Sequence, residues 1–386
     1  MGEWIGRDRK ARRAYGFDEI ALVPGRVTIN PEEVDISWKI DGEKIPIPFM
    51  ASAMDGVVDL KFAIAMGKLG GIAVLNLEGI YTRYDDYEPI LKEISKSTPE
   101  KATELVQKIY TKPIKEKLIA KRIKQIKSAG VPAAVSTIPQ HAERFGAIAQ
   151  EAGCDIFVIQ STVTTVRHIS TAYKVVDIRD FCKKMKIPVI IGNSVTYEVA
   201  MDLIETGVHG LLIGIGPGSA CTTRGVLGIG VPQVTSICDS AAAREVYYKK
   251  TGRYVPVIAD GGMSTGGDVC KAIACGADSV MVGSAFARTE EAPGKGFHWG
   301  MATPHANLPR GTRIRVGTTG SLEEILYGPA RLDDGTQNLV GALRTSMGNV
   351  GARTIREMQM IDIVIAPAIK TEGKLFQAAQ RVGMMK

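Results

Sequence analysis

One glycine-rich segment carries residues that could do covalent chemistry. Residues 214–225 read GIGPGSACTTRG, in which Cys221 follows three glycines and precedes two threonines. Glycines let the backbone approach a ligand closely, and a cysteine in such a loop becomes a nucleophile when its surroundings favour the thiolate. The hydroxyls of Thr222 and Thr223 would then relay a proton to or from a leaving group. The alternative is a glycine-rich turn in which Cys221 is a small buried apolar residue.

Eight short apolar runs alternate with amphipathic stretches and predict the frame that positions this segment. Such runs indicate parallel strands buried on both faces, and eight of them without a dinucleotide fingerprint favour a closed barrel over an open sheet. The expected fold class is therefore α/β, a single (β/α)8 TIM barrel with terminal extensions over residues 1–386. The runs lie at 47–54, 72–76, 133–137, 155–161, 188–194, 210–216, 256–262 and 279–285. Helices are predicted at 142–153, 171–186, 196–207 and 266–276.

The loops after the strand ends, where such barrels do their chemistry, are here polar or glycine-rich. ADGG at 259–262 and GSA at 283–285 follow the seventh and eighth strands, where backbone N–H groups often hold a phosphate, and Ser219 would add a hydroxyl. Asp260 suits a ribose diol instead, because its carboxylate accepts two hydroxyl hydrogen bonds. Phosphate with ribose indicates a nucleotide, whose electrophilic ring carbon Cys221 would attack. Each glycine taken singly also fits a plain turn at a strand end.

Composition bounds the class of protein. The chain has 386 residues, of which 45% are hydrophobic and 23% charged, and no run of about eighteen apolar residues, so we expect a soluble protein without a membrane span. A polar, basic start and six dispersed cysteines predict reduced thiols and a cytoplasmic location. The net charge of +7 comes with a lysine-rich stretch, 92–127, whose interspersed glutamates predict a solvated helix face and no nucleic-acid partner.

The tract 287–320, after the eighth strand, is polar, rich in glycine and proline and without a regular period. A connection of this length is expected to be a mobile lid over the active site, with His298, Trp299 and Met301 ordered over the ligand. The alternative is a surface insertion without fixed structure. The segments before and after the barrel are expected to wrap it or to contact other subunits, and no boundary indicates a second domain.

Several motifs together resemble those of one known family. The segment GIGPGSACTTRGVLGIGVPQ at 214–233 resembles the catalytic-loop signature of the IMP dehydrogenase/GMP reductase family, in its branch without CBS modules. The resemblance covers nearly the whole chain and implies a (β/α)8 barrel, a homotetramer or homo-octamer, a nicotinamide cofactor and a purine nucleotide substrate. The other motifs in the family's order and spacing are ASAMDGV (51–57), GNSVT (192–196), ADGG (259–262), MVGSAFA (281–287), EEAPG (290–294) and GM (300–301).

The resemblance also implies roles for individual residues. Cys221 would be the nucleophile that attacks C2 of the purine, and Thr223 would act on the attacking or leaving group. Gln160 and Ser161 would contact the nicotinamide cofactor. A potassium ion would be held by backbone carbonyls, those of Gly216, Gly218 and Cys221. The residues implied in nucleotide binding are Ser52, Met54, Asn193, Ser219, Asp260, Gly262, Gly283, Ser284, Gly300 and Met301.

Two departures from the family pattern favour a reductase. IMP dehydrogenases usually carry CBS modules after the second strand, where this chain has only the lysine-rich stretch 88–128. They also place an Arg–Tyr pair on the flap to activate water, whereas residues 302–311 here read ATPHANLPRG. The sequence therefore predicts an NADPH-dependent GMP reductase, which converts GMP to IMP and ammonia.

Two other departures leave the proton relay and the cofactor contact open. The family's glutamate that partners the catalytic threonine is replaced by Arg310, and its aspartate at the end of the fourth strand is Gln160. Glu290, Glu291 or His305 would have to substitute in the relay. The alternatives are an IMP dehydrogenase, which oxidises IMP to XMP with NAD⁺ and water, and a catalytically silent protein that binds purine nucleotides. No residue assigns NADPH over NADH.

Overall fold

Eight parallel strands close into a barrel in the computed structural model, which describes residues 2–300, 312–367 and 374–383. Neighbours along the chain are neighbours in the barrel, and the eighth strand returns to pair with the first, with Val282 opposite Ala51. The strands are β1 (Phe49–Ala51), β2 (Ile72–Asn76), β3 (Ala134–Thr137), β4 (Ile156–Gln160), β5 (Val189–Ser194), β6 (Gly210–Ile213), β7 (Val257–Asp260) and β8 (Ser279–Val282). Each lies within one predicted run, so the predicted (β/α)8 barrel is confirmed.

The strands read as apolar runs because both of their faces are buried. In β5, Ile190 lies in the cluster that fills the barrel, whereas Val189 and Ile191 belong to the layer between strands and helices. A hairpin before β1 adds Trp38 to the inner cluster, and the indole of Trp38 donates a hydrogen bond to the carbonyl of Ile47. This hairpin fills the amino-terminal end of the barrel, so the opposite rim is left to the loops that carry the candidate site.

Helices cover the outside of the barrel. They are α1 (Leu60–Lys68), α2 (Glu116–Lys127), α3 (Ala142–Glu151), α4 (Ile178–Lys184), α5 (Tyr197–Ile204), α6 (Gln233–Thr251), α7 (Gly266–Ala274) and α8 (Leu339–Val350). Local sequence sets their ends: α7 begins at a capping box formed by Thr265 and Asp268, and α6 ends at Gly252 in the left-handed conformation. The predicted helices over 142–153, 196–207 and 266–276 are confirmed as α3, α5 and α7.

The helix α4 is shorter than predicted. The sequence predicts a helix over 171–186, but α4 begins at Ile178, where the Asp177 side chain accepts a backbone N–H of the first turn. Before it, the hydroxyl of Ser170 accepts two backbone N–H groups and forms a turn. Serine side chains compete in this way with helix formation, so residues 161–177 form a loop at the rim of the barrel instead.

The lysine-rich stretch after β2 forms α2 and two further helices, Glu88–Lys96 and Pro99–Ile109. Apolar side chains such as Leu91 and Val106 are buried, while most of the lysines are exposed. This pattern confirms the predicted solvated helix face. Within the described ranges, no helix is long and apolar enough to cross a membrane.

Short elements complete the described chain. Two antiparallel strands, Phe297–Trp299 and Arg313–Arg315, form what we call the flap stem, on either side of residues 301–311. Two other antiparallel pairs are Glu3–Gly6 with Arg9–Ala11 and Ile20–Leu22 with Ile363–Ile365. The remaining short helices are Phe17–Glu19, Pro31–Glu33, Ile80–Arg83, Pro139–His141, Thr223–Leu227, Ser284–Ala287, Leu322–Tyr327, Ile355–Met358 and Leu375–Gln380.

Candidate active site

The predicted site residues lie at one rim of the barrel, at or just after the strand ends. Ser52 follows β1, Asn193 lies near the end of β5, and Asp260 ends β7. Ser284 follows β8, and the loop with Cys221 follows β6. In a parallel barrel all strands end at the same rim, so the fold assembles side chains that lie far apart in the sequence.

Cys221 is exposed at this rim, and its Sγ donates a hydrogen bond of 3.2 Å to Oγ1 of Thr223. Thr223 is buried at the start of a short helix, which fixes its hydroxyl against the thiol. The N–H of Cys221 donates to the carbonyl of Gly218 at 3.0 Å. An exposed thiol beside a fixed hydroxyl has the geometry of a nucleophile with a proton-transfer partner. This exposure excludes the alternative of a buried, apolar Cys221.

The shape of the loop depends on Arg224, a residue of the motif at 214–233 for which the sequence predicts no role. Gly216 has a φ of 74°, and a Cβ there would lie 2.6 Å from Cγ of Arg224. The Arg224 guanidinium donates to the carbonyls of Ile215 and Val231 at 3.2 and 2.7 Å. These bonds join the start of the loop to its end, and they hold Cys221 at the rim.

Asp260 receives two side-chain amides at the centre of the rim. Its Oδ2 accepts Nε2 of Gln160 at 2.9 Å and Nδ2 of Asn193 at 2.8 Å. Burial raises the pKa of Asp260 to about 6, although the bonds from Asn193 and Gln160 oppose this rise. Both amides bond to the same oxygen, so the carboxylate retains acceptor capacity for a ligand.

A buried glutamine supports this cluster from below. Gln233 is the first residue of α6, and its Nε2 donates to the carbonyls of Ile213 at 2.7 Å and Asp260 at 3.3 Å. The amide of Asn193 similarly donates to the carbonyl of Gly214 at 2.8 Å. These bonds join the ends of β5, β6 and β7 and fix the position of the carboxylate.

A second polar cluster lies between the Cys221 loop and the end of β8. The hydroxyl oxygens of Ser219 and Ser284 are 2.7 Å apart, and Oγ of Ser284 lies 3.1 Å from Nε2 of His298. Ser219 is exposed and His298 is fully buried, so the cluster runs from the flap stem to the surface of the rim.

The backbone of neighbouring loops lies close to this cluster. A Cβ at Gly283 would lie 3.0 Å from Sδ of Met54 and 3.6 Å from Oγ of Ser52, which places these two predicted nucleotide contacts beside the end of β8. Gly262 has a φ of 82°, and a Cβ there would lie 3.0 Å from Cβ of Pro217. The structure therefore brings the β1, β7 and β8 loops together around the serine pair.

The predicted lid, 287–320, is described only in part. Trp299 in the flap stem is fully buried, and its indole donates to the hydroxyl of Tyr110 at 3.0 Å. Gly300 is the last described residue before a gap, and Met301, His305 and Arg310 lie outside the described residues. The predicted roles of these three residues, and of a lid, remain predictions.

The candidate relay residue Glu291 has a structural partner, because its Oε2 accepts the backbone N–H of Leu322 at 2.8 Å. The predicted cofactor residue Ser161 donates to the carbonyl of Val163 at 2.9 Å and lies 2.8 Å from Oγ1 of Thr164.

In the described part of the chain, no group of three or more His, Cys, Asp or Glu side chains could hold a metal ion. The predicted potassium site, which would use backbone carbonyls, stays a prediction.

Comparison with known proteins identifies the family. The sequence matches the model of the IMP dehydrogenase / GMP reductase domain over residues 14–372, which include the Cys221 loop and both polar clusters. The chain belongs to the IMP dehydrogenase/GMP reductase family. It is therefore an oxidoreductase of a family that uses nicotinamide cofactors and binds nucleotide substrates.

Individual relatives of this family member match it over nearly their full length. An uncharacterised oxidoreductase of Mycolicibacterium smegmatis is 37% identical over 370 residues, which covers 94% of this chain and 99% of that protein. An IMP dehydrogenase of Cryptosporidium parvum is 32% identical over 395 residues, which covers 89% of each. An IMP dehydrogenase/GMP reductase-like protein from Corynebacterium glutamicum has a solved structure that matches with a TM-score of 0.88 at 36% identity, over 94% of this chain and 96% of that chain.

The departure from the family pattern at the end of β4 has a structural consequence in this IMP dehydrogenase/GMP reductase family member. Gln160 stands where the resemblance implies an aspartate, and its amide donates to Asp260. An aspartate there would repel the carboxylate, whereas glutamine stabilises its charged form. The contacts of Gln160 and Gln233 carry no local sequence signal, because each joins residues on different strands or helices. Arg224 lies inside the motif at 214–233, but its bonds across the loop depend on how the loop folds.

Proposed function

We propose that this protein is an NADPH-dependent GMP reductase, which converts GMP to IMP and ammonia through a covalent bond between Cys221 and C2 of the purine. The observation that carries the proposal is the exposed thiol of Cys221, which is hydrogen-bonded to Thr223 on the loop after β6. The sequence of residues 302–311 supports the reductase, because it lacks an Arg–Tyr pair that would activate water.

Each of the two polar clusters would bind a different part of the nucleotide. The hydroxyls of Ser219 and Ser284 donate to the phosphate, whose oxygens are strong acceptors. Asp260 accepts the ribose hydroxyls, because a carboxylate is a strong acceptor for a diol and would repel the phosphate. With phosphate and ribose fixed, the purine extends toward Cys221 on the loop after β6.

In the first half of the reaction, sulfur replaces nitrogen at C2. The thiolate of Cys221 attacks C2 of GMP and forms the C–S bond, and the 2-amino group leaves as ammonia after it takes up a proton. Thr223 Oγ1 accepts the hydrogen bond from the thiol, so its hydroxyl is placed to pass this proton to the leaving amine. This step consumes no reductant.

In the second half of the reaction, hydrogen replaces sulfur at C2. The nicotinamide cofactor, when bound, would supply the hydride. With one proton from solvent, the C–S bond at C2 then breaks to give IMP and the free Cys221 thiol. In sum, GMP, NADPH and one proton give IMP, NADP⁺ and ammonia. Thr223 stays hydrogen-bonded to the sulfur and stabilises it as a leaving group.

We propose the rim next to Gln160 as the place of the nicotinamide ring. Val163 and Val166, on the loop after β4, expose apolar side chains that can pack on a flat aromatic ring, and Ser161 adds a hydroxyl. We place NADPH there. NAD stays the alternative cofactor, because no described residue is assigned to a 2′-phosphate. The carbonyls of Gly216, Gly218 and Cys221 would hold potassium, and we expect a cytoplasmic homotetramer or homo-octamer.

The second candidate function is that of an IMP dehydrogenase. It is favoured by relatives such as the protein of Borreliella burgdorferi, which is named as an IMP dehydrogenase and is 34% identical over 399 residues, 90% of this chain and 93% of that protein. In that reaction, Cys221 would attack C2 of IMP, hydride would leave to NAD⁺, and water would release XMP. This function needs a group that activates water, and the sequence of residues 302–311 lacks the Arg–Tyr pair that would do so on the flap.

Substitution of Thr223 tests the proposed relay. Thr223→Val keeps the shape of the side chain and removes the hydroxyl, so we expect ammonia release in a single turnover to slow by about 100-fold. Thr223→Ser restores the hydroxyl and should recover most of the rate. Rapid-quench analysis of GMP, IMP and ammonia measures both variants. A Thr223→Val enzyme with the wild-type rate would rule out the relay.

The raised pKa of Asp260 predicts pH-dependent ribose binding. Ribose hydroxyls donate to the carboxylate and favour its charged form, so affinity should be constant above the pKa of about 6 and fall below it, by up to about tenfold per pH unit. Gln160→Leu removes a donor to the carboxylate, raises the pKa of Asp260 further and should move the fall to higher pH. Calorimetry with inosine measures this, because inosine has no phosphate that titrates nearby. An affinity for inosine that is independent of pH would contradict the assignment.

A further inference from the structure

His298 is a fully buried titratable residue that the proposed reaction does not use. It lies in the flap stem, where its strand packs so closely on the loop after β1 that a Cβ at Gly56 would lie 3.0 Å from Cα of His298. Its Nε2 lies 3.1 Å from Oγ of Ser284, whereas its Nδ1 is buried and has no hydrogen-bond partner among the described residues. One ring nitrogen is thus engaged and the other is isolated.

The imidazole of His298 is uncharged at neutral pH. Burial, together with the smaller effect of the positive charge of Arg288, lowers the pKa of His298 to about 4. A neutral imidazole carries one hydrogen, on either Nδ1 or Nε2. The choice between the two nitrogens decides what His298 does to Ser284.

The unpartnered Nδ1 indicates which tautomer His298 adopts. A hydrogen on Nδ1 would leave a buried N–H donor without a partner, which is rare in folded proteins and costs about 1–3 kcal/mol. A hydrogen on Nε2 instead forms a bond to Oγ of Ser284 and leaves Nδ1 as an unpaired acceptor, which is less rare in folded proteins than an unpaired N–H donor. His298 is therefore a donor to Ser284.

Donation from His298 gives the whole chain of hydrogen bonds one direction. Oγ of Ser284 accepts from His298, so its own hydrogen points away from the imidazole, toward Ser219 at 2.7 Å or toward a ligand. Ser219 is exposed, and its hydrogen in turn faces the rim. Hydrogen bonds in such a chain polarise one another, so the exposed end becomes a stronger donor. A ligand at this end must be an acceptor, and a phosphate monoester is an acceptor on all sides.

We propose that His298 is a positioning residue, which turns the hydroxyls of Ser284 and Ser219 into donors directed at the phosphate monoester of the nucleotide. This proposal rests on the proposed function, since it assigns the phosphate to the serine pair. It predicts that His298 determines the preference of the site for a nucleotide over the corresponding nucleoside, and that it has no part in the chemistry at Cys221.

Two amide substitutions of His298 test the proposal. The amide nitrogen of glutamine reaches the position of Nε2 and can donate to Ser284, whereas that of asparagine reaches only the position of Nδ1. We expect His298→Gln to keep the wild-type ratio of IMP affinity to inosine affinity, and His298→Asn to lower it by about tenfold or more. Calorimetry on the full-length protein with IMP and with inosine, without cofactor, measures both ratios.

A second comparison separates positioning from loss of structure. Ser284→Ala removes the middle hydroxyl and should lower the ratio by itself, and adding His298→Asn to it should lower the ratio no further. An unchanged ratio in a folded His298→Asn protein, or additive effects of the two substitutions, would overturn the proposal. If the wild-type protein binds neither IMP nor inosine, the proposed function fails instead. A wild-type preference for IMP with no dependence on His298 leaves the proposed function intact and refutes this inference alone.

Discussion

Replacing Cys221 with alanine is expected to reduce GMP turnover by at least about 10⁴-fold and to leave IMP affinity within about twofold of the wild type. In the proposed mechanism the sulfur forms the covalent bond to C2, and no other described residue at the rim offers a thiol. The proposed contacts to phosphate and ribose belong instead to the serine pair and Asp260, which the substitution leaves in place. Steady-state kinetics with GMP and NADPH, together with calorimetry with IMP, measure the two quantities.

The matched control for this substitution is Cys238→Ala, because Cys238 is the other exposed cysteine of the chain and lies on α6, outside the rim. We expect it to keep the wild-type rate. A Cys221→Ala enzyme that still turns over GMP would exclude the covalent mechanism. Equal loss of activity in both variants would show a general sensitivity to cysteine loss rather than a role for Cys221.

Replacing Asp260 with asparagine is expected to weaken inosine binding by about 100-fold or more. The substitution removes the charged acceptor for the ribose hydroxyls, whose hydrogen bonds to a charged group contribute about 1.5–3 kcal/mol each. It also brings a third amide next to those of Gln160 and Asn193, which both donate to the present carboxylate at 2.9 and 2.8 Å. Calorimetry with inosine measures the loss.

A ligand without the diol is the control for the Asp260 substitution. We expect 2′,3′-dideoxyinosine to bind the wild-type protein and Asp260→Asn with the same low affinity, because neither protein can then bond the ribose through residue 260. If Asp260→Asn lowered the affinity for the dideoxy compound as much as the affinity for inosine, the carboxylate would have a structural role. The assignment of Asp260 to the ribose would then be wrong.

The barrel could be predicted from the sequence because its strands differ from their surroundings in a local property. Each strand is a continuous apolar run such as Ile72–Asn76, and burial on both faces requires such a run. The helix over 171–186 was predicted too long, since the turn at Ser170 depends on hydroxyl bonds that hydrophobic periodicity does not detect.

The candidate site could be predicted where a motif is contiguous. Cys221 and Thr223 are two residues apart, so their hydrogen bond is a local property of the loop. The contact of Gln160 with Asp260 spans the barrel, and that of His298 with Ser284 depends on how the flap stem packs. Such contacts follow from tertiary packing, which is why the sequence suggested only a cofactor role for Gln160 and a place over the ligand for His298.

One pair of parallel reactions distinguishes a GMP reductase from an IMP dehydrogenase. The purified protein is mixed, in the presence of potassium, with GMP and NADPH in one cuvette and with IMP and NAD⁺ in another, and the near-ultraviolet absorbance of the reduced nicotinamide is followed in both. Our account predicts a fall of absorbance in the first, with IMP and ammonia formed in equal amounts, and no change in the second. A rise in the second cuvette with XMP as product, and no change in the first, would contradict it and establish the dehydrogenase.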